Sequence, residues 1–175
     1  YTVTIGEEKK HFEGGQHYSL SEKDFEKNPG RRVVTPDSVD GKITFCNLKR
    51  AGGTPSYRGT LEIEAREEGL LVVNEVSVEE YLYAVLPSEM PSDFGPEALK
   101  AQAVCARSYA LIKAGFGGAS NAKKGYKIVD TVSSQVYKGY LVESAKCNRA
   151  VNATQGEMVC YNNKVVPTYY FSTSG

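Results

Sequence analysis

The sequence predicts an α+β fold in which mixed strands and hairpins pack against two or three helices, one of them long and alanine-rich. Three observations support this class. Apolar and charged residues alternate over residues 61–66, as they do on a strand with one buried face. Apolar residues recur at helical spacing over residues 78–85 and 99–110. The length of 175 residues, with 41% hydrophobic and 24% charged side chains, is typical of one soluble globular domain.

The N-terminal third of the chain carries the weakest pattern. Residues 1–5 alternate like a strand, and residues 42–48 are compatible with a second one. The stretch 7–36 is charged and contains several glycines, so it predicts a loop with one short helix over residues 21–27.

The next segment predicts a hairpin followed by a helix. Gly69 supplies a turn, and the apolar run 70–76 after it predicts a second, more fully buried strand. Ser77 and Glu80 fit a capping box, in which the two side chains satisfy free amides at the start of a helix. Because the residue before a proline is driven out of helical geometry, we expect Pro87 to end this helix.

The long helix is predicted to begin at Pro96 and to end at Gly115. Proline suits the first helical position, and glycine suits the left-handed position after the last turn. The remaining expectations are a mobile loop at 115–125, extended segments at 126–130 and 134–138, a third helix at 143–151 and a hairpin turned at Asn162-Asn163.

Composition and missing motifs argue against several classes of function. The 21 Lys and Arg residues balance 21 Asp and Glu residues, so we do not expect a nucleic-acid-binding surface held by charge alone. No apolar run reaches the roughly 18 residues of a membrane span. No glycine motif for phosphate or dinucleotide binding follows a predicted strand, and no Gly-x-Ser-x-Gly elbow is present. Nucleotide-dependent and serine-hydrolase activities are therefore not expected.

The four cysteines, Cys46, Cys105, Cys147 and Cys160, form no Cys-x-x-Cys pair. Both histidines lie far from the later cysteines in sequence, so a zinc site is only weakly supported. Two alternatives remain open. Cys147 and Cys160 form a disulfide in an oxidising compartment, or the thiols are free and mostly buried. Cys105 lies inside the predicted long helix, where a small buried thiol is favoured over a nucleophile without a histidine partner.

Glu89 is the strongest candidate for a catalytic group. It lies on a predicted irregular link between Pro87 and Pro91, which has few conformations to lose and therefore suits a preorganised side chain. Apolar neighbours such as Leu86 and Phe94 would partly exclude water from the carboxyl and favour the protonated form that a general acid needs. The alternative interpretation is a solvated loop glutamate.

Two further features leave alternatives open. Lys100 and Arg107 are seven residues apart, which puts them on nearly the same face of the long helix. They form a solvated face, or Arg107 points back toward Glu89 and binds a polar substrate group or tunes the carboxyl. The chain also has 12 tyrosines, of which Tyr137 and others crowd the C-terminal third. Aromatic faces with a polar tip suit sugar rings and equally suit an ordinary sheet surface.

Several motifs occur in one fixed order along the chain. Among them are Pro87-Ser88-Glu89-Met90-Pro91, Lys100-Ala101-Gln102-Ala103, Ser134-Gln135-Val136-Tyr137-Lys138-Gly139 and Phe171-Ser172-Thr173-Ser174-Gly175. In this order the motifs resemble the stage II sporulation protein D/LytB (SpoIID/LytB) family over residues 57–175. The combination of Glu-Met-Pro with Lys-Ala-Gln-Ala is specific to that resemblance.

The resemblance implies a peptidoglycan lytic transglycosylase. Such an enzyme cleaves the MurNAc-GlcNAc bond of denuded glycan strands and leaves a 1,6-anhydro product, in cell-wall remodelling and sporulation. Glu89 matches the catalytic glutamate of the family, and Arg107 matches an arginine required for activity. The substrate-binding residues expected from the motifs are Ser88, Lys100, Gln102, Tyr137, Ser172 and Ser174. No cofactor is expected: some members hold zinc through His and Cys residues after the long helix, where this chain has Cys147 and Cys160 but no histidine.

The resemblance also implies an alternative function, because LytB-type members are described as enhancers of a cell-wall amidase. The chain would then be a non-catalytic wall-binding module that enhances an N-acetylmuramoyl-L-alanine amidase; a structural envelope protein is a third possibility. The expected partners are peptidoglycan glycan strands and a cell-wall amidase, without nucleic acid.

We expect an extracytoplasmic location in the cell envelope. The export signal would lie outside this chain, and the full-length protein would be anchored in the membrane. We also expect one domain over residues 1–175, with a poorly patterned part at 1–56 and a family core at 57–175, truncated at both ends.

Overall fold

The computed structural model describes residues 1–50, 53–116 and 125–171. The chain forms two compact units. The first comprises Tyr1–Arg50 and Thr54–Val76, and the second comprises the described residues from Ser77 onward together with Gly53. Strands dominate the first unit and helices dominate the second, which confirms the predicted α+β class.

The first unit is mainly an antiparallel sheet. Its elements are β1 (Thr2–Ile5), β2 (Glu8–His11), α1 (Glu22–Lys27), β3 (Arg32–Thr35), β4 (Ile43–Thr44), β5 (Ser56–Tyr57), β6 (Thr60–Arg66) and β7 (Gly69–Glu75). Five strands form one sheet in the order β2-β1-β3-β6-β7, and β4 pairs with β5. The predicted first strand, short helix and hairpin are confirmed.

The core of this unit follows from the alternation of apolar side chains on its strands. Val3 on β1 lies opposite Val34 on β3, and Val34 lies opposite Leu61 on β6. All three are buried, as is Ile63 on the same face of β6. Because side chains alternate across a sheet, this register places one apolar face inward and leaves the glutamates between them on the other face.

Two expectations for this unit were wrong. The stretch 7–36 is not a loop with a single helix, because it also forms β2 and β3. Strand β2 is an exposed edge strand of charged residues, so it shows no apolar alternation in the sequence. Strand β7 is not the more buried strand of the hairpin: it forms the other edge of the sheet, and Leu70 and Val72 are exposed.

The second unit carries the longer helices. Its elements are α2 (Val78–Glu89), α3 (Pro96–Ala114), a 3-10 turn (Tyr140–Val142), α4 (Ala145–Ala153), β8 (Cys160–Tyr161) and β9 (Lys164–Val165). The predicted third helix is confirmed as α4. The predicted hairpin is confirmed as the β8–β9 pair, with Asn162 and Asn163 at φ 48 and 58° in its turn. Both values lie in the left-handed region that asparagine tolerates.

The long helix α3 has the predicted ends. Pro96 occupies its first turn, and Gly115 follows its last residue with φ 98°, a conformation that favours glycine. Its buried side chains include Leu99, Ala103 and Ala106. The small alanines allow neighbouring backbone to approach α3 closely.

Helix α2 contradicts the prediction that Pro87 ends it. The helix passes through Pro87 and reaches Glu89. Proline forfeits one amide hydrogen bond, but in the last turn the rest of the ladder survives: the Met90 N–H donates to the Leu86 carbonyl at 3.0 Å. The Ser88 hydroxyl also donates to the helix backbone at 2.7 Å. Glu89 is therefore a helical residue, not part of an irregular link.

The segment that follows α3 is less regular than expected. Residues 126–130 and 134–138 form no strand, and most of the loop predicted at 115–125 lies outside the described residues. Within the described part of the chain, no helix combines the length and the apolar character needed to cross a membrane.

Candidate functional site

Glu89 stands at the C-terminal end of α2, and helical geometry determines where its side chain goes. It follows Leu82 by seven residues and Val85 by four, so it continues the buried face of the helix. Its carboxyl is partly exposed. The backbone N–H of Val136 donates to Glu89 Oε1 at 2.6 Å. In the described part of the chain, Oε2 takes part in no hydrogen bond, so one carboxyl oxygen is fixed and the other remains available.

Tyrosines and one buried amide lie beside this carboxyl. The rings of Tyr81 and Tyr137 pack with their centroids 5.0 Å apart. Gln135 is fully buried. Its Oε1 accepts a hydrogen bond from the Tyr81 hydroxyl at 3.1 Å, and its Nε2 donates to the Ala106 carbonyl at 3.2 Å and to the Tyr170 hydroxyl oxygen at 2.9 Å. The amide thereby ties α2, α3 and the C-terminal segment to one point.

Burial keeps the neighbouring tyrosines neutral. It raises the pKa of Tyr81 well above its usual range, and the nearby tyrosines and Glu89 add to the effect. Burial likewise raises the pKa of Tyr170 to about 12; the charge of Glu89 contributes, and the hydrogen bond from Gln135 acts in the opposite direction. Both hydroxyls therefore carry their protons at neutral pH and serve as hydrogen-bonding groups, not as anions.

Arg107 lies elsewhere. Its guanidinium pairs with Glu79 near the start of α2, with Nε–Oε1 and Nη2–Oε2 distances of 2.9 and 2.7 Å. It also donates to the carbonyls of Glu157 and Val151, at 3.0 and 3.2 Å. The side chain is 1% exposed. Arg107 is thus a buried junction between α2, α3 and the chain after α4.

The length of α2 separates this junction from Glu89. Glu79 and Glu89 are ten positions apart on the helix, which corresponds to about 15 Å along its axis. Arg107 therefore does not point back toward Glu89. The interpretation of Lys100 and Arg107 as one solvated face is also wrong, because Arg107 is buried, whereas Lys100 pairs with the exposed Glu97 at 2.8 Å.

The other predicted site residues fall in different surroundings. Tyr137 is 7% exposed and directly follows the residue that binds Glu89, so the structure brings it to the site. The hydroxyl of Ser88, next to Glu89, is engaged by the helix backbone. Gln102 is buried on α3. Ser172 and Ser174 lie outside the described residues.

The described residues do not fit a zinc site. No three His, Cys, Asp or Glu side chains among them converge as metal ligands. All four cysteines are free, so Cys147 and Cys160 form no disulfide. Cys147 is buried on α4 while Cys160 is exposed, and burial raises the pKa of the Cys147 thiol.

Four residues of these networks occur in the motifs or among the tyrosines noted in the sequence but were not predicted as site residues: Glu79, Tyr81, Gln135 and Tyr170. A signal existed for Tyr81, because it precedes Val85 by four residues and Val85 precedes Glu89 by four, a helical spacing that runs through Pro87. No such signal links Gln135 to Tyr170, which lie 35 residues apart and meet only in the folded chain.

Comparison with known proteins identifies the family. The family model described as "Stage II sporulation protein" (SpoIID) matches residues 66–161, more than half of the chain. Stage II sporulation protein D of Bacillus subtilis (strain 168) is 39% identical over 155 residues, which cover 78% of this chain and 44% of that protein. Its counterpart from Bacillus amyloliquefaciens is 39% identical over 113 residues, covering 58% of this chain and 33% of that protein.

A second kind of relative is also similar. The protein named amidase enhancer in Bacillus subtilis (strain 168) is 38% identical over 94 residues, which cover 54% of this chain and 12% of that protein. The chain thus spans less than half the length of each of these relatives. The match of the family model over residues 66–161 shows that the chain belongs to the SpoIID family.

Proposed function

We propose that this chain is a peptidoglycan lytic transglycosylase that cleaves the MurNAc-GlcNAc bond of denuded glycan strands, with Glu89 as its one general acid and base. The observation that carries the proposal is the state of the Glu89 carboxyl. Glu89 is partly exposed as a residue, the Val136 N–H fixes one of its carboxyl oxygens, and the other has no hydrogen-bond partner among the described residues. A fixed carboxyl with a free oxygen is what proton transfer to a bound sugar requires.

In the first step, protonated Glu89 donates its proton to the glycosidic oxygen. The bond between that oxygen and the anomeric carbon breaks, and the leaving sugar departs with a hydroxyl group. Positive charge develops at the anomeric carbon of the muramyl sugar, as in other glycosidic cleavages. The Val136 N–H, 2.6 Å from Oε1, holds the new carboxylate in place.

In the second step, the C6 hydroxyl of the muramyl sugar attacks the anomeric carbon and closes the 1,6-anhydro ring. The Glu89 carboxylate accepts the hydroxyl proton and is thereby restored to its starting form. No water enters, so a second carboxyl to activate water or to act as nucleophile, which glycoside hydrolases use, is not needed. Glu79, also on α2, is paired with Arg107.

The remaining predicted site residues receive supporting roles in this proposal. Tyr137 is a proposed substrate contact; its ring packs against Tyr81 and is 7% exposed, so it supports the surface beside Glu89 more than it forms that surface. Arg107 acts as a positioning residue that holds α2 against α3, since its guanidinium pairs with Glu79 and not with Glu89. Ser88, Lys100, Gln102, Ser172 and Ser174 are proposed substrate contacts.

The setting we propose is the cell envelope. The chain would act outside the cytoplasm on peptidoglycan strands, as one domain of a longer, exported protein. Relatives named for sporulation and for enhancing an amidase support a role in cell-wall remodelling. No cofactor enters the proposed reaction.

Mass spectrometry of products from peptide-free glycan tests the proposal. We expect the wild-type chain to release 1,6-anhydromuramyl products, and Glu89→Gln to lower the rate by about 10²–10⁴-fold, the usual contribution of a general acid or base. The amide oxygen of glutamine can still accept from the Val136 N–H, so folding should be preserved. Glu26→Gln, at an exposed glutamate on α1, is the matched control and should retain activity. Full activity of Glu89→Gln would remove Glu89 from the acid role.

A second candidate function rests on the relative named amidase enhancer. In that case the chain binds glycan without cleaving it and stimulates an N-acetylmuramoyl-L-alanine amidase. Glycan binding would then be unaffected by Glu89→Gln, amidase activity would rise when the chain is added, and no anhydro product would form at any protein concentration.

A further inference from the structure

The hydrogen bonds of Gln135 determine which of two tyrosines has a free proton. A carbonyl oxygen can only accept, so the atom of Gln135 that faces the Ala106 carbonyl must be the nitrogen, Nε2. The other side of the amide, Oε1, is then an acceptor and requires the Tyr81 hydroxyl to donate. The second hydrogen of Nε2 is directed at the Tyr170 hydroxyl oxygen, which must accept.

The Tyr81 hydroxyl therefore donates to Gln135, whereas the Tyr170 hydroxyl accepts from it. The Tyr81 hydroxyl uses its only proton in the hydrogen bond to Gln135. Tyr170 receives a hydrogen bond and keeps its own proton, for which the described part of the chain provides no acceptor. Tyr170 is also partly exposed as a residue. Since the pKa of Tyr170 is raised to about 12, the proton remains in place at any pH at which the protein would work.

The free hydroxyl of Tyr170 and the carboxyl of Glu89 are anchored by consecutive residues. Gln135 holds the Tyr170 oxygen through its side chain, and Val136 holds Glu89 Oε1 through its backbone N–H. Gln135 is fully buried and is covalently linked to Val136, so the two anchors lie close together in the chain. The result is a pair of preorganised groups, one available to exchange a proton and one available to donate a hydrogen bond.

We propose that Tyr170 is a substrate-contacting residue whose hydroxyl donates a hydrogen bond to an oxygen of the saccharide bound at Glu89, while Gln135 is the residue that positions it. This inference rests on the proposed function, because it assigns a second group to the same site. A saccharide offers hydroxyl, ring and amide oxygens as acceptors, and a neutral donor can bind any of these without the cost of burying a charge.

Two phenylalanine variants test the proposal as a matched pair. Tyr81→Phe and Tyr170→Phe each remove one hydroxyl and one hydrogen bond to Gln135, so both should lower the melting temperature. Only Tyr170→Phe also removes a free donor. We expect it to lower kcat/KM on peptide-free glycan by about tenfold, the effect of one lost hydrogen bond, and Tyr81→Phe to change it by much less. Tyr169→Phe, whose side chain is exposed, is a neighbouring control that should leave kcat/KM unchanged.

The outcomes separate this inference from the proposed function. If wild type is active and Tyr170→Phe loses no more activity than Tyr81→Phe, the donor role is overturned while the transglycosylase assignment stands. If wild type forms no anhydro product, that assignment fails, and the dissociation constants of both variants for peptide-free glycan then decide. Weaker binding by Tyr170→Phe alone supports the contact, whereas equal binding by the two variants, or no binding by wild type, overturns it.

Discussion

Two glutamates on the same helix, Glu79 and Glu89, occupy opposite environments. Glu79 accepts two hydrogen bonds from the guanidinium of Arg107 and a longer one, at 3.4 Å, from the Gly156 N–H. Glu89 accepts a single hydrogen bond from a neutral backbone N–H and has a second oxygen with no partner among the described residues. The Glu79 carboxylate is engaged in contacts that hold the fold together. One oxygen of Glu89, in contrast, has no partner among the described residues and could bind a ligand.

The difference shows how to separate structural from chemical groups in a site of this kind. Arg107 and Glu89 are both implied by the family resemblance, yet only Glu89 has an atom to offer to a substrate in this structure. Arg107 donates to three partners while it is almost completely buried, so a substrate could reach it only if those bonds broke. The role we propose for Arg107 is therefore to position α2 against α3.

The largest expected effect on stability comes from breaking the pair at the start of α2. Glu79→Gln leaves the Arg107 guanidinium buried without a counter-charge, so we expect the free energy of unfolding to fall by about 3–5 kcal/mol. Urea unfolding followed by circular dichroism measures the change. Glu97→Gln on α3, where the pair with Lys100 is exposed, should change it by less than about 1 kcal/mol.

A double variant sharpens the same test. Replacing both partners, as in Glu79→Leu with Arg107→Met, removes the buried charge together with its partner. The double variant should therefore be more stable than the sum of the two single changes predicts. Additive losses would mean that Glu79 and Arg107 do not stabilise the fold as a pair.

A smaller effect is expected at the N-cap of the same helix. Ser77 accepts from the Glu80 N–H, and its hydroxyl donates to the Glu80 carboxylate at 2.8 Å. Ser77→Ala should lower the free energy of unfolding by about 1 kcal/mol, and Ser77→Asp should recover most of the loss. Activity per folded molecule should not change, because Ser77 lies more than three helical turns from Glu89. If activity fell while stability did not, the N-cap would influence Glu89 through α2, which the structure does not explain.

Features specified by local sequence were predictable. Ser77 at the start of α2, and Pro96 and Gly115 at the two ends of α3, are signals that act through the backbone within a few residues. Glu89 could be proposed as a candidate because its motif is short and continuous, and Asn162-Asn163 marked the last hairpin through its tolerance of positive φ. These predictions did not depend on which segments meet in the folded chain.

Features that depend on distant partners were not predictable. Glu79 lies 28 residues from Arg107, and Gln135 lies 54 residues from Tyr81, so no periodic pattern connects them. The edge strand β2 lacks apolar residues and gives no signal of its own. The prediction from Pro87 was wrong for a different reason. Proline does disfavour helical geometry, but continuing the helix for two residues after Pro87 costs little free energy because the surrounding turn is well hydrogen-bonded.

The last expected effect is absent at neutral pH and appears only in alkaline solution, at the Glu89 end of α2. The pKa of Tyr170 is raised from 10.0 to about 12 in the folded protein, and that of Tyr81 is raised as well. Below about pH 10 the folded and unfolded chains both keep these protons, so stability is unaffected. Above it the unfolded chain releases them first, so stability should fall as the pH rises toward about 12. Urea unfolding between about pH 8 and 11 should show a shallower decline for Tyr170→Phe than for wild type, and an unchanged decline for the exposed Tyr169→Phe. Parallel curves for wild type and Tyr170→Phe would contradict the raised pKa of the Tyr170 hydroxyl, which keeps its proton in place as a donor.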